Sequence, residues 1–264
     1  MRTIFRKELT RTRTGLVIWS VVAGIVALFG MLEYPFISQY LNVLEDALAS
    51  IPKIGQLVFG VYNADFYTPI GFYIVMYYWT GLIVFTHAIY TGASIISKES
   101  RDKTAEYLFT KPYKRNTIVW AKILTGLVNI LVVGIVTIIM SLIAMLPITR
   151  EPSVYGHILV ASVGMLFTQC VLMSLGLLCS AIFKTYKSGA SGAIIVLIAS
   201  YCLMFFVQYA DMPPLNFLSP LTYFPVAGVV KSSLNIIYIL LAVVVVAVCV
   251  IFTQRLYSKK EIIM

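Results

Sequence analysis

The chain has 264 residues, of which 60% are apolar and 12% charged, with a net charge of +9 and a mean hydropathy of +0.91. Soluble domains carry about a quarter charged residues, so this composition excludes a soluble globular protein and leaves a membrane protein. No polar block is long enough to fold alone, and residues 1–264 read as one membrane-embedded domain.

In chain order, the stretch "FRKELTRTRTGLVIWS" comes first. Phe5, Leu9, Thr12 and Leu16 share a face opposite Lys7 and Arg11, which predicts an amphipathic helix lying along the membrane surface. Six apolar runs follow, at Gly15–Phe36, Pro69–Ser94, Ile118–Pro147, Tyr155–Phe183, Gly189–Tyr209 and Leu234–Phe252. Each is long enough to cross the hydrocarbon core, where the backbone must satisfy its own hydrogen bonds, so all six are expected to be helices. The first run lacks a small-residue cleavage site and is expected to stay in the mature protein rather than act as a signal peptide. After it, Leu41, Leu44, Leu48 and Ile51 recur at helical spacing with Asn42 and Asp46 turned away, predicting a short amphipathic helix.

Lys and Arg are sorted between the two sets of connections, 17 on one side and 3 on the other. The bias places both termini and the connection between spans 2 and 3 in the cytoplasm. The basic balance is therefore read as a topology signal, and no nucleic-acid partner is expected.

Several chemistries find no support. Cys170, Cys179, Cys202 and Cys249 all lie inside predicted spans without metal-ligand spacing, and neither His87 nor His157 has an acid or second histidine at helical spacing. No metal site or catalytic residue is predicted. No Gly-x4-Gly-Lys-Ser/Thr phosphate loop occurs, so the chain is not expected to be an enzyme or to bind a cofactor itself. No acid sits near mid-depth of a span, as an ion-driven carrier would need, and no charged ring suggests a channel. Energy for uphill transport would have to come from another chain.

The densest charge lies in "SIISKESRDKTAEYLFTKPYKRNTIVWAKIL", residues 94–124. Thr104 is placed to cap a short helix with Glu106 in its first turn, and Tyr107, Leu108 and Phe109 give it an apolar face before Pro112. Either a docking element or a basic loop resting on anionic lipid headgroups accounts for this stretch.

This segment resembles the connection between the second and third spans of type-2 ATP-binding-cassette (ABC) exporter permeases. Glu99, Thr104, Glu106, Leu108, Pro112 and Arg115 match the family's pattern, while Lys103 and Phe109 depart from it. The N-terminal stretch resembles the family's entry helix. "LASIPKIGQLVFGVYNADFYTPIGFY" and "LNFLSPLTYFPVAGVV" are similar to its external segments, the latter a helical or re-entrant element between spans 5 and 6. The resemblance implies an all-α permease with a cytoplasmic coupling helix around residues 104–110. It implies ABC ATPase subunits that bind ATP and Mg, and a second permease forming a homodimer in a bacterial cell membrane. Glu99, Arg101, Thr104, Glu106, Tyr107 and Leu108 would then sit at the ATPase joint.

On the second span Tyr73, Tyr77, Thr80, His87, Thr91 and Ser94 fall on one polar stripe, which lipid disfavours. It either packs between helices or walls a translocation path, for which Tyr73, Tyr77, Thr80, His87 and Gln169 are the candidates. Gly189 with Ala193, and Ser188 with Gly192, allow close packing of the fifth span, within the subunit or across a dimer. Apolar and aromatic walls with almost no buried charge suit an amphipathic peptide or hydrophobic compound, including a self-protective export of antimicrobial molecules. A membrane anchor for a cytoplasmic partner and an ion channel are the readings from other classes.

Overall fold

The computed structural model describes residues 2–62, 64–101, 115–183, 185–228 and 234–259. They form α1 (Arg2–Leu32), α2 (Tyr34–Ile37), α3 (Leu41–Ala49), α4 (Lys53–Phe59), α5 (Pro69–Arg101), α6 (Arg115–Met145), α7 (Pro152–Ile182), α8 (Tyr186–Tyr209) and α9 (Ile236–Lys259). Two 3₁₀ turns, Pro213–Leu218 and Pro220–Thr222, follow α8, and no strand occurs among the described residues.

Six of these helices, α1, α5, α6, α7, α8 and α9, are long and apolar enough to cross a membrane, at the six places the apolar runs predict. The chain is a multi-pass membrane protein. Side-chain hydroxyls inside the spans fold back on their own helices, as Thr137 does onto Val133, Ser162 onto Ile158 and Thr168 onto Gly164. Such bonds satisfy a donor that hydrocarbon cannot.

Local sequence sets several boundaries. Pro152 opens α7, where its missing N–H costs nothing, and Thr185 caps α8 by accepting from the Ser188 amide at 3.2 Å. Gly60 ends α4 at φ +70°, with Val61 donating back to the Gln56 carbonyl. The Tyr78 ring covers this turn and would collide with any side chain there.

α5 and α7 form the centre, since most of each is buried, whereas α1, α8 and α9 turn most of their apolar surface outward. The two central helices run parallel and meet backbone to backbone. A methyl group on Gly92 of α5 would strike the Met173 carbonyl of α7, and one on Gly176 of α7 would strike the Ile89 carbonyl of α5. α1 lies along α6, and α9 along α7.

The bundle has two chemically distinct ends. Residues 2–13, the last turns of α5, the first turns of α6 and the end of α9 share the basic end. At the other, acidic end, α2, α3 and α4 connect α1 to α5, and α4 packs against α8. In α3, Leu41, Leu44 and Leu48 are half-buried while Asn42 and Asp46 are exposed, as their spacing predicts. Lys53 at the start of α4 clamps the end of α8, donating to the Tyr209 carbonyl and to Asp211 Oδ2, both at 2.9 Å. The Asp211 carboxylate holds the Lys53 pKa above its ordinary value. After α8 the chain turns back into the bundle: Ser219 donates to the Ser200 carbonyl, and the Phe224 ring packs at a tilt against Phe167 with ring centroids 5.6 Å apart.

One expectation is corrected here. The N-terminal stretch is not a separate surface helix, because α1 runs unbroken from Arg2 to Leu32. Its 31 residues span roughly 46 Å, more than the ~30 Å hydrocarbon core, so the basic turns project beyond the membrane along the helix. No glycine or proline stands between Arg2 and Gly15 to break it.

Candidate functional site

Three places combine polar chemistry with depth. The first ties the basic end together. Lys122, about two turns into α6, is fully buried; its Nζ donates to the Ile95 carbonyl of α5 at 2.6 Å and stands 3.9 Å from Glu8 Oε1 of α1. Ile4, Ile118 and Ala121 form a small buried cluster on the same two helices, with Ile4 one turn before Glu8 and Ile118 one turn before Lys122. Lys122 counts in the topology bias by its side of the membrane, and here it is buried together with Glu8. The low-polarity surroundings strengthen their attraction and make either one costly to leave alone.

A second place, also at the basic end, is a polar cavity of about 270 Å³ between α1, α5 and α6. Arg11, Thr12, Trp19, His87, Ser94 and Asn129 are on its wall. His87 is 2% exposed; its Nε2 is 3.2 Å from Thr91 Oγ1, and its Nδ1 has no hydrogen-bond partner among the described residues.

The third is a cavity of about 300 Å³ near the acidic end, between α4, α5, α7, α8 and the segment after α8. Its wall is mainly apolar and aromatic, with Ile74, Tyr77, Phe85, Met204, Leu221 and Phe224, and with Gln208 and Asp211 toward the acidic end. Tyr201 also lines it, and its buried hydroxyl has no hydrogen-bond partner among the described residues. The volume suits a small apolar group or part of a larger amphipathic molecule.

The polar stripe on α5 is thus divided. Tyr73 and Thr80 are packed against α1, α6 and α7 around a void of about 10 Å³, too small for more than a water. Tyr77 borders both that void and the 300 Å³ cavity, and its hydroxyl reaches the Ala161 carbonyl at 3.4 Å. His87, Thr91 and Ser94 belong to the polar cavity. Gln169 is fully buried beside Gly134 of α6, and neither amide atom has a hydrogen-bond partner among the described residues. Tyr201, absent from the sequence-based candidates, has a signal: it shares a helix face with Met204, Phe205 and Gln208. Gly189 and Gly192 pack within the chain, against Ser180 and the Phe183 ring at the end of α7.

Glu99 and Arg101 fall in the last turns of α5, and Thr104, Glu106, Tyr107 and Leu108 lie outside the described residues. Among the described residues no group of acids, histidines or cysteines has metal-binding proximity.

Comparison with known families bears on this architecture directly. No curated protein matches the chain. The family model described as ABC-2 family transporter protein matches residues 2–262, nearly the whole sequence. Six spans, two chemically distinct ends and a match of this extent lead to one conclusion: the chain belongs to the ABC-2 family of transporter proteins.

Proposed function

We propose that the chain is the permease subunit of an ATP-driven exporter, moving an amphipathic peptide or another hydrophobic compound out of the cytoplasm or its facing leaflet. The observation that carries the cargo class is the 300 Å³ cavity, whose mainly apolar wall holds the unpartnered Tyr201 hydroxyl. Apolar walls accept a hydrophobic group, and a lone buried hydroxyl rewards a cargo with one polar atom at that depth.

In this reading the basic end faces the cytoplasm of a bacterial cell, in keeping with the 17 to 3 split of Lys and Arg. A separate ABC ATPase binds ATP and Mg and docks on the coupling helix around residues 104–110. Glu99, Arg101, Thr104, Glu106, Tyr107 and Leu108 make the joint, and a second copy of the chain completes the permease. The Glu8–Lys122 pair gives the joint a mechanical route, since it fixes α1 to the helices on both sides of residues 102–114. A push on that connection is then shared with α1 rather than absorbed by one helix end.

The test is ATP-dependent uptake into inside-out vesicles carrying the chain with its co-expressed ATPase. A labelled amphipathic cationic peptide and a hydrophobic dye serve as probes. The reading predicts accumulation that vanadate abolishes and that Tyr201→Ala redirects between the two probes. Uptake unaffected by ATP would refute it.

A further inference from the structure

At the acidic end the ammonium of Lys53 is held by four groups. It donates to the Tyr209 carbonyl and to Asp211 Oδ2, both at 2.9 Å, and lies 5.0 Å from the centre of the Tyr62 ring and 5.4 Å from that of Tyr209. Two aromatic rings, a carboxylate and a carbonyl at the C-terminal end of α8 form a cage suited to a cation. The rings act through their quadrupole, the carboxylate through its charge and the helix end through its dipole. The hydrogen bond to Asp211, first among these effects, keeps the Lys53 pKa above its ordinary value.

The carboxylate of the cage stands on unusual backbone. Asp211 has φ 49°, the one non-glycine residue in the left-handed region among the described residues. It follows the last turn of α8, where the Met212 amide donates back to the Val207 carbonyl, a helix stop that ordinarily has glycine at this position. Aspartate tolerates this conformation better than most residues, and here it brings an acid to the cage. Tyr62 and Asp211 also line the 300 Å³ cavity, so the ammonium stands at its rim. From Ile74 to Phe85 the cavity follows α5 for about 16 Å, along a mainly apolar and aromatic wall. Tyr209 is exposed and Lys53 partly so, which leaves the cage open to water. An ion pair this exposed adds little to stability, so exchanging Lys53 for another cation costs the fold little.

We infer that the cage is a binding site for the head of a cationic amphipath, filled here by Lys53 as a tethered stand-in, and that a ligand's ammonium displaces Lys53 while its apolar tail enters the cavity. The inference rests on the reading of that cavity as the cargo site, and it narrows the cargo to molecules that carry an amine or quaternary ammonium. Displacement also removes the ionic link between α4 and the end of α8, so ligand entry and release of the clamp are one event.

Displacement can be read on Lys53 itself, in the purified full chain without an ATPase. The protein in neutral detergent is acetylated briefly with acetic anhydride in the presence of hexyltrimethylammonium, hexanol or hexanoate, and the extent at Lys53 is measured by mass spectrometry. The caged amine should react slowly, and hexyltrimethylammonium alone should raise its rate saturably, with no change at the exposed Lys187 near the other end. In equilibrium dialysis, Lys53→Met should bind hexyltrimethylammonium about fivefold more tightly than the parent, and adding Asp211→Asn should remove that gain. Asparagine tolerates the left-handed turn as aspartate does, so the backbone is kept. A Lys53 rate unchanged by hexyltrimethylammonium would overturn the site. Equal acceleration by hexanol would also overturn it, while leaving the cavity as a place for uncharged cargo. Displacement by hexyltrimethylammonium without ATP-driven uptake of either vesicle probe would uphold the site and refute the transport reading instead.

Discussion

Lys122 Nζ stands 3.9 Å from Glu8 Oε1 while donating to the Ile95 carbonyl at 2.6 Å, so one buried ammonium joins three helices at the basic end. A buried pair of this kind contributes little over a hydrophobic replacement of both partners, yet removing one partner strands the other. Glu8→Ala should therefore destabilise the protein by about 3 kcal/mol, and Glu8→Ala with Lys122→Met should recover most of that loss. Thermal unfolding in detergent measures both. In transport assays the double variant should be stable yet poorly coupled, because the ionic link between α1 and α6 is gone.

Gly92, facing the Met173 carbonyl, and Gly176, facing the Ile89 carbonyl, set the spacing of the two central helices. Gly92→Ala and Gly176→Ala each place a methyl group into a carbonyl of the facing helix, and backbone cannot swing aside as a side chain can. Each should cost about 2 kcal/mol. By contrast Gly15→Ala meets nothing nearby and should leave the unfolding temperature unchanged. Equal effects at all three positions would remove the close contact as the explanation.

Tyr73 and Tyr77 separate packing from lining. Both rings are buried, but Tyr73 sits in the tight α1–α5–α6–α7 contact and Tyr77 borders the 300 Å³ cavity. Tyr73→Ala should lower stability by about 3 kcal/mol with cargo preference retained in the surviving protein. Tyr77→Ala should enlarge the cavity and change the ratio of peptide to dye uptake. A matching change of ratio in both variants would place Tyr73 on the path as well.

The Lys53 clamp at the acidic end has a defined pH window. Its pKa is raised in the folded state, first by the hydrogen bond to Asp211, so its contribution is fully present below the unfolded value of 10.5 and is lost as pH rises through the folded value. Hydrogen exchange in α4 should be constant from neutral pH to about 10 after correction for intrinsic rates, and should accelerate above that. Lys53→Met should show the faster exchange at every pH. Protection in Lys53→Met equal to that of the parent would show that the clamp does not hold α4.

Much of the fold is legible in the sequence because a bilayer imposes length and charge rules on each segment. The six apolar runs coincide with six helices, and Leu41, Leu44 and Leu48 are half-buried where periodicity places them. What escapes are relations between segments. Lys122 reads as one more basic residue near a connection, and nothing local says that Glu8 and Ile95 will enclose it. Gly92 and Gly176 are single glycines in long apolar runs, though Ala88 with Gly92 and Gly176 with Ser180 give the small-xxx-small spacing that marks such contacts. The polar stripe on α5 is a true feature of the helix, but it is about 31 Å long, too long for one site, and three different neighbours divide it. The segment most distinctive in sequence, residues 102–114, lies outside the described residues, and its role rests on the family pattern.

The central claim is that transport is powered by a separate ATPase held at that connection, and purification from the native membrane tests it most directly. The tagged chain and its Glu106→Lys variant are extracted in mild detergent, and co-purifying proteins are identified by mass spectrometry and assayed for vanadate-sensitive ATP hydrolysis. The account predicts an ABC ATPase with the parent chain, and ATP hydrolysis that is weakened or unresponsive to cargo in Glu106→Lys. Recovery of no nucleotide-binding protein with the intact parent chain would contradict it.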